Sequence, residues 1–149
     1  MTKLKKYKMF INGEWTDSES KKTFQTLNPE NNEPWAEVPE ASEKDVDKAV
    51  KAAQKAFEGT WSKLFPKERA KYLKAIAEQL RENAEHLGKI ETIDTGKLFK
   101  ETKTQANYIA EYYDYYAGLA DKVEGTVLPI DKANMQVITT RVPIGVVAA

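Results

Sequence analysis

The chain has 149 residues, and its 23 lysines and arginines are matched by 23 aspartates and glutamates, so the formal charge is zero. That balance leaves no electrostatic footprint for nucleic acid or for an anionic membrane surface. Hydrophobic residues make up 41% of the chain, which argues against disorder, and no apolar run approaches the roughly 20 residues of a membrane span. Cysteine is absent, which removes disulfides, thiolate metal sites and any thiol nucleophile from the chain.

The basic start, MTKLKKYKMF, runs directly into polar Asn12 and Gly13 and lacks the uninterrupted apolar stretch of a signal peptide, so a soluble, cytoplasmic protein is expected. The first element expected is a hairpin. In YKMFINGEW, alternating apolar residues flank Asn12-Gly13, a dipeptide that tolerates the positive φ angles of a type I′ turn. Two more short strands, TFQTLNP and EPWAEVP, lie on either side of the turn-rich run Asn28-Pro29-Glu30-Asn31-Asn32. The hydrophobic period then lengthens from two to about 3.6 residues. Ser42, with Asp45 three residues on, forms an acidic capping box; Val46, Ala49, Val50, Ala53 and Phe57 line one face, and Gly59 stops the helix.

A second helix restarts at Pro66, a residue suited to a first helical turn, with Leu73, Ile76, Ala77 and Leu80 as its buried stripe. AEHLGKIETIDTGK reads as a short helix ended by Gly96, and ETKTQANYIAEYYDYYAGLA as a longer one stopping near Gly118. MQVITTRVPIGVVAA returns to β-branched residues and reads as strand. The chain is therefore α/β in class: β-rich, then helical, then β-rich, with no internal repeat and no low-complexity segment.

Few residues stand out chemically. His86 is the only histidine, and with no second histidine or any cysteine it reads as a structural or surface residue and not as a metal ligand. Tyr108, Tyr112 and Tyr116 recur every four residues and share a helix face, together with Tyr113 and Tyr115. They suit core or interface packing with their hydroxyls at the rim, and also the wall of a substrate channel. Asp94 occupies the last turn of its helix, where a negative charge opposes the helix dipole, and so calls for a nearby cation, either a lysine or a metal ion. No glycine-rich phosphate loop is complete, and no Ser-His-Asp or Cys-His set can be assembled.

The motifs INGEW, NPENNEPWAEVPEASEKDVDKAVKAAQKAF, ERAKYLKAIAEQLRENAEHLGKIETIDTGK, YYAGLADKVEGTVLP and VPIGVVAA, in this order, resemble those of NAD(P)-dependent aldehyde dehydrogenases, the betaine aldehyde dehydrogenase and broad-specificity branches in particular. The resemblance covers essentially the whole chain. It implies the N-terminal portion of the aldehyde dehydrogenase fold, a β-hairpin plus helices ending in the first strand of a Rossmann-like sheet. Residues 1–134 would form the hairpin, short strands and helices of the cofactor-binding domain, 135–142 an oligomerisation-type strand, and 143–149 the first strand of an incomplete dinucleotide-binding sheet.

In this family a cysteine thiolate attacks a small aldehyde, NAD or NADP takes the hydride, and a base-activated water releases the carboxylate from a thioester. The nucleophilic cysteine, the general-base glutamate and the oxyanion-holding asparagine all follow the PIGVVAA motif, so this chain carries no catalytic and no cofactor-binding residue and is expected to be inactive alone. What the resemblance does transfer is a monovalent-cation site, K+ or Na+, on Thr26, Leu27 and Asp94. It further implies a homo-oligomer, and places the helix bearing Tyr108 and Tyr112 near the substrate entrance. The alternative is a truncated, non-catalytic oligomerising or binding module.

Overall fold

The computed structural model describes residues 4–148. Five short strands come first: β1 (Lys5–Lys6), β2 (Met9–Ile11), β3 (Glu14–Thr16), β4 (Thr23–Asn28) and β5 (Glu33–Pro39). Four helices follow, α1 (Glu43–Glu58), α2 (Pro66–Glu82), α3 (Ala84–Thr95) and α4 (Phe99–Leu119), with a 3₁₀ turn at Trp61–Lys63 between α1 and α2. A two-stranded ribbon, β6 (Val127–Leu128) and β7 (Val137–Ile138), comes last.

The β2–β3 hairpin closes as its sequence requires. Ile11 faces Glu14, and the two loop residues lie at φ 55° (Asn12) and 83° (Gly13), the left-handed pair of a type I′ turn. In the second sheet β5 is central, with β4 antiparallel on one side and β1 parallel on the other. The β1 pairing has no signal in its two lysines. The β4–β5 ladder slips once: Thr26 faces Ala36 but Leu27 faces Pro34, which leaves Trp35 as an extra, unpaired residue. Pro34 has no N–H to give to a ladder, and a bulge is where a sheet accommodates such a residue.

Asp45 does more than cap α1. Its carboxylate accepts from the Ser42 backbone N–H (2.9 Å) and hydroxyl (2.7 Å), and also from the Ser18 hydroxyl (3.0 Å) and the Glu19 N–H (3.2 Å). One buried carboxylate thus ties the start of α1 to the loop leaving the hairpin. These donors, the Ser42 N–H foremost, pull its pKa from the ordinary 3.8 down to about 2, against the opposing effect of burial.

In the helical layer α4 packs along both α2 and α3. The buried apolar side chains among the described residues are all alanines: Ala36, Ala77, Ala84, Ala106, Ala110 and Ala117. Small residues let helix backbones approach closely. At the α3–α4 crossing a Cβ on Gly88 would lie 2.8 Å from the Lys103 backbone nitrogen, and the buried Thr102 hydroxyl donates to the Gly88 carbonyl at 2.9 Å.

Several expectations are corrected by this packing. In the α2 stripe only Ala77 is fully buried, and Ile76 is exposed; in α1, Val46 and Val50 are likewise exposed. Tyr108, Tyr112 and Tyr116 do not pack in the core. α4 buries the stripe Thr102, Ala106, Ala110 and Ala117, and the tyrosines lie on its exposed side. Of the expected C-terminal strand, only Val137–Ile138 pairs, with β6; residues 139–148 belong to no ladder, because a strand exists only through a neighbour, and residue 149 lies outside the described residues.

Two predictions follow from these contacts. Gly88→Ala should destabilise the chain by about 1–2 kcal/mol, the overpacking cost net of a better helix propensity, whereas Gly118→Ala should be neutral or stabilising. Nothing lies within 4 Å of a Cβ at Gly118, so the urea midpoint should fall for Gly88→Ala and hold or rise for Gly118→Ala. The second concerns pH. Because the folded pKa of Asp45 lies below its ordinary value, its stabilisation is present above pH 3.8 and is lost as pH falls toward about 2. Asp45→Asn should be less stable at neutral pH and should show a flatter acid limb in thermal melts.

Candidate functional site

The site grows from the end of α3. Gly96 adopts φ 76° and returns its N–H to the Thr92 carbonyl at 2.9 Å, ending the helix in a left-handed turn. That turn is seated on the loop after β4, since a Cβ at Gly96 would lie 3.3 Å from Pro29 Cγ. The docking brings Asp94 against the β4–β5 bulge. The Thr26 hydroxyl donates to Asp94 Oδ1 at 2.6 Å, and the Trp35 indole N–H donates to the same oxygen at 3.3 Å. Leu27, beside Thr26, stands at the register shift itself.

Asp94 is exposed at the α3 terminus. Its charge is also not met by the nearest lysine in sequence. Lys97 Nζ goes instead to Glu91 at 2.7 Å, and among the described residues Asp94 enters no ion pair. Of the two cations that its helix-terminal position called for, the lysine is therefore spoken for. A carboxylate oxygen is a donor that suits a hard cation. Among the described residues no three of His, Cys, Asp and Glu converge.

Trp35 and Tyr7 escaped the sequence reading. Tyr7, just after β1, sets its ring edge-on to the Trp35 indole, with centroids 6.0 Å apart and an interplanar angle of 77°. The only available signal was Pro34 within a strand pattern, which marks a bulge but not its direction.

The other candidates assemble nothing catalytic. His86 is exposed on α3. Tyr108 and Tyr112 share a hydroxyl–hydroxyl bond of 3.1 Å, and that bond is the first cause raising the Tyr112 pKa above the ordinary 10.0. Tyr115 and Tyr116 form a second edge-on pair. The residues present do not form a dinucleotide cradle. The segment around Gly145 contributes no ladder strand and opens no helix among the described residues. No helix among them is long and apolar enough to cross a membrane.

Comparison with known proteins is consistent across sequence and structure. The chain is 44% identical over 147 residues to (Z)-2-((N-methylformamido)methylene)-5-hydroxybutyrolactone dehydrogenase of Acinetobacter baylyi, covering 98% of this chain and 30% of that protein. It is 42% identical over 141 residues to betaine aldehyde dehydrogenase of Bacillus subtilis, covering 93% of this chain and 28% of the relative. Among solved structures, an aldehyde dehydrogenase of Bacillus cereus superposes with a TM-score of 0.81 at 40% identity, over 86% of this chain and 26% of its own. Betaine aldehyde dehydrogenase of Staphylococcus aureus, in complex with NAD+, gives 0.80 at 36% identity, over 87% and 26%. The chain thus spans less than a third of the length of each of these proteins. Residues 15–149 match the aldehyde dehydrogenase family. With that match across nearly the whole sequence, and the same fold in solved members, the chain belongs to the aldehyde dehydrogenase family.

Proposed function

We propose that this chain is the N-terminal part of an oxidoreductase that converts a small aldehyde to a carboxylate with NAD or NADP. The observation that carries this reading is the family match over residues 15–149, together with alignment to about 30% of a full-length dehydrogenase. NAD or NADP, when bound to the whole enzyme, supplies the hydride acceptor. This chain's own part is architectural: the layout is a hairpin, short strands and helices over 1–134, an oligomerisation strand over 135–142, and a first nucleotide-sheet strand over 143–149. Thr26, Leu27 and Asp94 hold a monovalent cation, K+ or Na+. Support comes from the two donors on Asp94 Oδ1 and from the absence of an ion-pair partner for Asp94 among the described residues. The assembly is a cytoplasmic homo-oligomer.

A second reading, a non-catalytic oligomerising module, is favoured by the exposed apolar ribbon. Val127, Ile138, Val142 and Ile144 are all exposed, and an unpaired apolar edge templates association with other chains. Both readings predict concentration-dependent association of the chain in sedimentation velocity, and a concentration-independent monomer would contradict both. They also share catalytic silence for residues 1–149. With no cysteine in the chain, no thiolate is available for the family's chemistry, and Ser or Thr would need a base partner that His86 does not provide. Purified chain, NAD and a panel of aldehydes should give no reduced nicotinamide by absorbance and no heat of NAD binding by calorimetry. What separates the readings is complementation: the remainder of a relative's chain, added or fused after residue 149, should restore turnover under the first and leave it absent under the second.

A further inference from the structure

We infer that Asn12 is a self-modifying site, where the main-chain nitrogen of Gly13 displaces the Asn12 side-chain amide as ammonia, gated by opening of the β2–β3 hairpin. The reaction needs an unhindered main-chain nitrogen, an accessible amide carbon and freedom to bring the two together. Asn12 is the one asparagine of the chain followed by glycine. A Cβ at Gly13 would meet nothing within 4 Å, and both residues are exposed. The other asparagines lack one or more of these conditions. Asn28 and Asn31 accept from the backbone N–H groups of Glu30 and Glu33 at 2.9 and 3.0 Å, and Asn28 precedes Pro29, which has no N–H. Asn83 and Asn107 donate to helix carbonyls at 2.9 and 3.1 Å, whereas the Asn12 amide makes no hydrogen bond among the described residues. Asn32 and Asn134 precede Glu33 and Met135, whose side chains shield the attacking nitrogen. In the reaction a bond forms between Gly13 N and Asn12 Cγ, the Cγ–Nδ2 bond breaks, and the Gly13 amide proton leaves with the ammonia. Water then opens the cyclic imide at either carbonyl, giving aspartate or isoaspartate. The folded turn restrains the first step. Asn12 at φ 55° and Gly13 at φ 83° are held by the pairs Met9–Thr16, Phe10–Trp15 and Ile11–Glu14, and ring closure requires the Asn12 backbone to rotate out of the turn. A hairpin this short is marginal and opens locally. Isoaspartate makes the opening permanent, because it routes the main chain through the side-chain carbon and lengthens a two-residue loop that closes only at its normal length.

The test incubates the full chain at mildly alkaline pH over weeks and digests samples with trypsin, which releases residues 9–21 with Asn12 as their sole asparagine. Mass spectrometry with electron-transfer fragmentation follows loss of the amide and separates isoaspartate from aspartate. Asn12 should lose its amide at least about tenfold faster than any other asparagine, a barrier lower by about 1.4 kcal/mol. Isoaspartate should be among the products, and the rate should rise with pH because the Gly13 nitrogen attacks without its proton. Phe10→Ala removes the exposed ring that faces Trp15 across the hairpin, with centroids 5.0 Å apart. It should speed the reaction at Asn12 by about two- to fivefold, the loosening expected from one lost cross-strand pair, and leave the other asparagines unchanged. Asn12→Gly keeps a turn that accepts two left-handed residues and should leave peptide 9–21 without any mass gain. Survival of the Asn12 amide as long as those of Asn32 and Asn134, or its conversion to aspartate with no isoaspartate, overturns the site. An Asn12 rate unmoved by Phe10→Ala, or raised equally at every asparagine, overturns the gating by the hairpin.

Discussion

Asp94 Oδ1 receives two hydrogen bonds from residues 59 and 68 positions away in sequence, and these contacts hold the strand pair against the helical layer. α3 touches β4 here, with Gly96 seated on Pro29, while the Asp45 carboxylate ties α1 to the loop after the hairpin. A carboxylate at this end of a helix is disfavoured by the dipole. Two neutral donors orient it but leave its charge uncancelled, and Lys97 is committed to Glu91. The turn at Gly96 and the bulge at Trp35 bring the two layers to this carboxylate from each side.

The helical layer is built on a different constraint. Alanines, Gly88 and Thr102 form the contact surfaces, so the helices come close without burying large side chains. The consequence is visible on the outside. Phe65, Leu98, Tyr115, Val123 and Ile144 are all exposed, so large apolar side chains face outward from several elements. A chain that spans less than a third of its relatives would carry such faces as surfaces for the rest of the fold or for other subunits. The same reasoning explains the β6–β7 ribbon, a two-stranded piece of sheet that is marginal by itself.

Local chemistry was legible in the sequence wherever a few neighbouring residues decide the outcome. Asn12-Gly13 called the hairpin turn, Ser42 and Asp45 the start of α1, Pro66 the start of α2 and Gly96 the end of α3, and each is found there. Whatever depended on distant partners was not legible. The capping carboxylate of Asp45 also binds Ser18, 27 residues back, and no local pattern announces that. Tyrosines at a spacing of four looked like a packing stripe, yet the alanines on the opposite side of α4 took the core, because close helix approach favours small residues over aromatic ones. The pairing of β1 beside β5 and the delivery of Trp35 to Asp94 are set by the register of the sheet, which one strand's sequence does not contain. The family resemblance supplied Thr26, Leu27 and Asp94 as a group; residue chemistry alone reached only Asp94.

The central claim is that Asp94, held by Thr26 and Trp35, is a ligand for a monovalent cation. Anomalous diffraction from crystals of the chain grown in a thallium(I) or rubidium salt tests it most directly, since these ions replace potassium and scatter strongly. The account predicts an anomalous peak at the Asp94 carboxylate, beside the Thr26–Leu27 strand, with the Thr26 hydroxyl and the Trp35 indole N–H still on the other oxygen. An Asp94 side chain turned into solvent, with neither donor on it and no peak beside it, would contradict the account.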